Sequence, residues 1–393
     1  MLCCSGNALC CLSTGGEPRH ALGVAKWVYC SLFGVVTVVT WLLRTYGEAA
    51  FTRNRLFAAV CADATAGGNA AVSTSALCSG QQVVLRFSFA TFSFFAAHAL
   101  ALLWCRRESD PRVGLHTGGW LWKALLWAGA LVGFLFVPPG AIFYYANAAR
   151  FGAGLFLVFV MVETVAATYD ANAALVAADA WWSWALLVAG AALGFGGGLA
   201  LVALCYHYYA TSPGCSLNLF FITWSLVMGL AMVAVLFVPG RLEVAGLLTS
   251  GAVFAYASYL LLSALSSEPL NDCVRDTGAR QQWITIVGVF LGLAAVVYST
   301  LTLGTSHIFG GGDEDKGELP YRPDVFHLIF ALAAMYMAML LTNWQLSPDP
   351  GDMWRIDRGW ISTWVKMGSK WFAEALYIWT VVAPAVCRHR DFT

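Results

Sequence analysis

From Ala141 to Ala178 the chain runs for 38 residues without a proline, directly after Pro138-Pro139-Gly140. A proline pair and a glycine end one helix and start the next, because proline lacks the amide hydrogen that a helix interior needs. A helix of that length rises ~57 Å, whereas the hydrocarbon core of a bilayer is ~30 Å thick and is crossed by ~20 residues. Such a helix is either steeply tilted in a membrane or projects out of it. Its apolar run encloses Glu163, with Arg150 nearer the start and Asp170 nearer the end. An ionisable group at membrane depth marks a functional site by default.

Composition decides that a membrane is the right setting. Hydrophobic residues are 59% of the chain and charged residues 11%, against about 25% charge in soluble domains. Ten apolar runs predict an all-α, polytopic protein with spans near 24–43, 83–104, 119–137, 141–168, 181–204, 217–238, 245–265, 282–303, 325–344 and 361–386. The first run has full span length and no small-residue cleavage site, so it reads as a signal anchor. A tail over 1–23, a membrane domain over 24–386 and a tail over 387–393 follow from these limits, with the long helix at about 141–178. Twenty-two basic and 22 acidic residues balance, and no basic stripe points to nucleic acid.

Ten spans place both termini on one side. Arg19, Lys26, Arg106, Arg107 and Arg112 favour the cytosol for that side, against Arg53, Arg55, Arg275, Arg355 and Arg358 opposite. With the termini cytosolic, Cys61, Cys78, Cys215 and Cys273 all fall in or beside outer loops. Four cysteines in an oxidising compartment fit two disulfides, with three connectivities open. The pairs Cys3-Cys4 and Cys10-Cys11 are candidates for palmitoylation or metal binding, or belong to a reduced, unstructured tail. No Asn-x-Ser/Thr acceptor is present to orient the chain.

Several features concern packing. Gly190, Gly194 and Gly198 recur every four residues in the fifth run, beside Gly196 and Gly197, a spacing that lets helices approach closely in lipid. Leu135-Phe136-Val137-Pro138-Pro139-Gly140 and Leu236-Phe237-Val238-Pro239-Gly240 close the third and sixth spans, which run in opposite directions; this is either an inverted repeat or a common helix stop used twice. Lys366, Lys370 and Glu374 lie at i, i+4 and i+8 on the last span. Lys370 can neutralise Glu374, and both lysines can snorkel towards the outer interface. Arg150 stands about 20 Å from Glu163 along the helix, too far to neutralise it. Glu163 must meet another helix, face a wet groove, or stay protonated. His98, His207 and His327 lack metal-ligand spacing and read as hydrogen-bonded packing residues. Zinc-protease, serine-hydrolase and P-loop motifs are absent, so nothing asks for an enzyme.

The order and spacing of several runs resemble the serine incorporator (Serinc) family over nearly the whole chain. They are Asp110-Pro111-Arg112, Gly214-Cys215-Ser216-Leu217-Asn218 with Phe220-Phe221-Ile222, Tyr298-Ser299, and the acidic loop from Gly310 to Glu318. Leu341-Thr342-Asn343-Trp344, Trp364-Val365-Lys366-Met367, Tyr377, Trp379-Thr380, Val382-Ala383-Pro384 and Arg390-Asp391-Phe392 complete them. The resemblance implies ten helices in two bundles joined by a long, tilted fourth helix. It implies a non-enzymatic protein of the plasma membrane or endomembranes that scrambles or transports phospholipid, phosphatidylserine above all, without ATP. The alternative is an accessory carrier that aids serine incorporation into phosphatidylserine and sphingolipids. Bound phospholipid or sphingolipid, with no other cofactor and no metal, is then expected, as are homo-oligomers and contacts with lipid-synthesis enzymes. Glu163, Arg150 and Asp170 become candidates for a lipid groove. Glu163 falls where the family has an acid, yet the histidine and tryptophan expected after it are replaced by Thr164 to Thr168. Lys370 and Glu374 look particular to this sequence.

Overall fold

The computed structural model describes residues 18–46, 73–212, 214–268, 273, 287–298, 318–342 and 360–387. Cys3, Cys4, Cys10, Cys11, Cys61, Asn343 and Trp344 lie outside these residues, as does the side chain of Cys78. The described chain is helical and has no strand; Arg107 and Glu318 form an isolated bridge. The helices are α1 (Pro18–Tyr46), α2 (Ser73–Ala101), α3 (Val113–Thr117), α4 (Trp120–Gly133), α5 (Pro139–Ala178) and α6 (Trp181–Tyr209). There follow α7 (Ser216–Ala234), α8 (Leu247–Leu265), α9 (Val287–Tyr298), α10 (Pro323–Thr342) and α11 (Trp360–Val386).

Seven of these helices are long and apolar enough to cross a membrane: α1, α2, α5, α6, α7, α8 and α10. The regions of α4 and α9 are apolar but shorter, and α11 spans 27 residues while carrying Lys366, Lys370 and Glu374. The protein is a polytopic all-α membrane protein. Only α3 was not foreseen as an element, because five residues are too few to show a period.

Two compact units make up the fold, and the chain passes between them at Ala153 and Gly154, inside the 40-residue α5. In the first unit α10 is buried on nearly every side, as a helix apolar all round should be. Its widest contact is with α2, and α1 leans on both. Phe33, Phe95, Phe326 and Phe330 meet edge-on or stacked at ring separations of 4.9–6.2 Å. α8 is the central helix of the second unit, packed on α6, α7 and α11.

Glycines bring α6 and α8 together as their spacing predicts. A Cβ at Gly194 would lie 2.6 Å from the carbonyl carbon of Gly251, and one at Gly198 would lie 2.4 Å from the Phe254 ring. Gly190 faces Leu248 in the same way, whereas Gly196 and Gly197 point into open space.

The two Leu-Phe-Val-Pro runs share more than letters. Each ends its helix in a 3-10 turn, Phe134–Phe136 and Val235–Phe237, followed by an extended valine. Each turn also receives an arginine. Arg86 Nη2 donates to the Val137 carbonyl at 3.1 Å, and Arg241 Nε donates to the Leu236 carbonyl at 2.7 Å. Carbonyls at a helix end have no intrahelical donor, and a guanidinium satisfies them.

Candidate functional site

Glu163 sits in the second unit's part of α5, with 6% of its surface exposed. It makes no hydrogen bond or ion pair among the described residues. A buried carboxylate normally has a partner, because removing a charge from water is costly without one. Arg150 belongs to the first unit's part of the same helix, and its Nη1 donates to Asn147 Oδ1 at 3.1 Å, one turn back. Glu163 stands ~220° further round the helix than Arg150, so α5 cannot turn both groups to one side. Asp170, two turns on, shares the face of Glu163 but is exposed. The three groove candidates therefore do not converge, and Glu163 alone is a buried charge-bearing group on this helix half.

The last span behaves as an internal salt bridge. Lys370 Nζ donates to Glu374 Oε1 at 2.6 Å, and both side chains are essentially unexposed. Lys366 Nζ donates to Ser267 Oγ at 2.8 Å and to the Ser263 carbonyl at 3.3 Å. Neither lysine snorkels: both are buried, Lys366 against the end of α8 and the turn after it, where serine oxygens receive it, and Lys370 against Glu374 of its own helix. Tyr377, one turn beyond, shares a hydrogen bond of 2.8 Å with Ser250 of α8.

The remaining motif residues hold loops in place. Arg112 uses Nε and Nη2 on the Asp110 carboxylate and Nη1 on the Leu103 carbonyl at 3.0 Å, which ties the α2–α3 loop to the end of α2. Hydrogen bonding from Arg112 holds the Asp110 carboxyl at about 2. Pro111 follows within that turn and accepts from the Gly114 amide at 3.3 Å. Asn218 is buried on α7 and donates both to the Tyr209 carbonyl and to Glu268 Oε2, each at 2.9 Å. Ser216 opens α7 and is exposed; Trp379 is exposed on α11, and Pro384 lies inside the last turns of that helix. Cys215 and Cys273 are joined by a disulfide that links the loop before α7 to the loop after α8.

Between α1, α2 and α10 the first unit holds a groove lined by Phe33, Thr37, Val84, Ser88, Ala334 and Leu341. Its hydroxyls are already bonded, Thr37 to the Phe33 carbonyl and Ser88 to the Ala334 carbonyl, each at 2.9 Å. The lining therefore offers an apolar surface.

Sequence reasoning missed four buried polar groups. Arg86, Lys123 and Glu268 each sit in or beside an apolar run, which was signal enough to flag them. His116 stands in a short connection with no pattern around it. His207 is exposed beside Tyr208, so it is not the packing residue its position implied.

A family model described as serine incorporator (Serinc) matches residues 2–318 and 310–390. The chain belongs to the Serinc family. Serine incorporator 3 of Bos taurus is 27% identical to it over 392 residues, covering 79% of this chain and 80% of the bovine protein. Serine incorporator 5 of Mus musculus is 26% identical over 461 residues, covering all of this chain and 98% of the mouse protein. Serine incorporator 2 of Homo sapiens is 25% identical over 370 residues, covering 80% of each chain. As a Serinc protein, the molecule is a multi-pass integral membrane protein.

Proposed function

We propose that this Serinc protein moves phospholipid, phosphatidylserine in particular, between the leaflets of its membrane without ATP and without a catalytic step. The observation that carries this reading is Glu163, a buried carboxylate inside a membrane helix without a partner among the described residues. A polar group placed there lowers the free energy of a headgroup crossing hydrocarbon, while acyl chains remain in apolar surroundings. The test is reconstitution into liposomes with fluorescent lipid and a membrane-impermeant quencher. Quenching beyond half of the signal is expected, with a several-fold slower second phase for Glu163→Gln. Quenching that halts at half, as in empty vesicles, overturns the proposal.

A second reading draws on the relatives' printed name, serine incorporator. In it the protein is an accessory carrier that brings serine to lipid-synthesising enzymes. It predicts saturable serine binding by the purified protein and a co-purifying synthase. Lack of both eliminates it.

The disulfide supports an orientation for either reading. Disulfides persist in oxidising compartments, so Cys215 and Cys273 belong on the lumenal or extracellular side. In the ten-span order both termini then face the cytosol. Cysteine-reactive labelling of the N-terminal tail in intact cells checks this: labelling without permeabilisation overturns it.

A further inference from the structure

One end of the first unit contains a cluster of bases, buried apart from the half-buried Lys26, that the lipid-transport reading does not use. α1 contributes Lys26 and Tyr29, α2 His98, α3 His116, and α4 Lys123; Tyr321 and His327 come from the approach to α10 and its second turn. Lys123 Nζ donates to Tyr29 Oη at 2.9 Å and to the His116 carbonyl at 3.1 Å, and lies 4.6 Å from the centre of the Trp120 ring. Lys26 Nζ lies 4.5 Å from the centre of the Tyr321 ring. The carboxylates of the adjoining loops are engaged elsewhere: Asp110 with Arg112, and Asp324 with Arg322 at 2.6 Å. The Cys105 thiol is turned to Asp110. Among the described residues, no carboxylate bonds to any of the cluster's bases.

The hydrogen bonds assign the protons. Tyr321 donates to the Leu22 carbonyl at 3.2 Å, so it accepts from His116 Nε2 at 2.7 Å. His116 Nδ1 is then the acceptor for His327 Nε2 at 3.1 Å. At the other end, His98 Nδ1 donates to the Phe94 carbonyl at 2.8 Å. With all three rings neutral, two buried nitrogens are left without partners: His327 Nδ1 and His98 Nε2. The two ring centres stand 5.0 Å apart with the rings tilted by 35°, whereas the bonded pair His116 and His327 meets edge-on at 5.1 Å and 85°.

One added proton resolves the whole chain. With it His116 donates from both nitrogens, His327 accepts at Nε2 and carries a proton on Nδ1, and His98 Nε2 accepts that proton once the two tilted rings turn edge to edge. Every ring nitrogen is then bonded and the chain carries one positive charge. Lys123 has a matching economy: a neutral amine has two protons, and its two acceptors take both. An ammonium on Lys123 and an imidazolium in the chain would be two like charges in one dry space, with no carboxylate among the described residues bonded to either.

We propose that this cluster is a proton-binding site that holds one proton, exchangeable between Lys123 and the His98–His327–His116 chain. The four bases titrate as one coupled unit, and α2, α3, α4 and α10 share the charge.

The test is nitrogen-15 NMR of the full-length protein in liposomes across pH 5 to 9, with labelled lysine and histidine. In the unaltered protein, the Lys123 ammonium and a chain imidazolium are never present together. Lys123→Gln lets the chain take up one proton, at a midpoint raised by about 1–3 pH units, with the His116 and His327 signals moving together. Lys123→Arg, permanently charged, holds the chain neutral across the range. Ammonium and imidazolium signals coexisting in the unaltered protein overturn the proposal without recourse to any variant. So does a folded Lys123→Gln protein whose histidine midpoint is no higher than that of the unaltered protein.

Discussion

Lys370 and Glu374 meet at 2.6 Å with almost no exposure, so each is tolerable only while the other is present. Removing one partner leaves an uncompensated charge, and either Lys370→Met or Glu374→Gln is expected to lower stability by about 3–5 kcal/mol. The double replacement Lys370→Met with Glu374→Leu is expected to recover most of that loss, because two apolar groups need no counter-charge. Chemical unfolding in mild detergent, read by helicity, measures all three. A double variant no better than the singles would show that Glu374 Oε2, the oxygen outside the pair, has a use of its own. His116 carries a pH prediction. Burial, with Lys123 adding to it, lowers its imidazole to about 3, whereas a free imidazole titrates near ~6.5. Below ~6.5 the unfolded chain binds a proton that the folded site refuses. Its contribution is complete above that pH and declines by about 1.4 kcal/mol per pH unit as pH falls towards 3. Unfolding temperature should thus drop between pH 6.5 and 4, and His116→Gln should flatten the slope. These two cases also mark what sequence can reveal about single residues. The i, i+4 spacing of Lys370 and Glu374 brings them together on any helix, so their pairing was legible. The partners of His116 lie on α1, α4 and α10, and no spacing within one segment encodes them.

At the level of elements, close approach rather than charge decides stability. The α6–α8 contact depends on the lack of a side chain at Gly194, where an added Cβ meets backbone that has no rotamer to yield. Gly194→Leu should part the two helices and lower stability by at least about 1–3 kcal/mol. The same change at Gly197, which faces open space, should be tolerated. Thermal unfolding of the two variants side by side distinguishes contact from helix propensity. That packing was legible because lipid provides no hydrophobic drive between helices and small residues must mark the seam. The paired Leu-Phe-Val-Pro turns were legible as letters only. Their common use of an arginine, Arg86 from α2 in one and Arg241 from the following segment in the other, appears once the carbonyls are in place. Two similar stops built from different donors fit a recurring solution to a helix end, and they leave the inverted-repeat reading to the turn geometry alone.

For the whole molecule, the apolar runs foretold a polytopic all-α membrane protein because each helix must satisfy its backbone internally once it enters hydrocarbon. The grouping into two compact units was not readable from the runs themselves. Contacts between distant helices decide it, as when α10 returns to α2 across more than 200 residues. The disulfide adds a covalent constraint to the second unit. Its closed loop spans 58 residues, so Cys273→Ser should cost about 2–5 kcal/mol, read as a lower unfolding temperature without reductant. The same bond has a topological meaning. α7, the Pro239-Gly240 turn and α8 form a covalent ring, and a single break anywhere from 216 to 272 opens the ring without releasing a fragment. A protease nick there should leave the chain migrating as one piece on a non-reducing gel and as two after reduction. A cut in the turn between α6 and α5, at Asp179 or Ala180, lies outside the ring and should separate the two pieces under both conditions. Such a pair of digests would map the strand crossing of the second unit by mass alone.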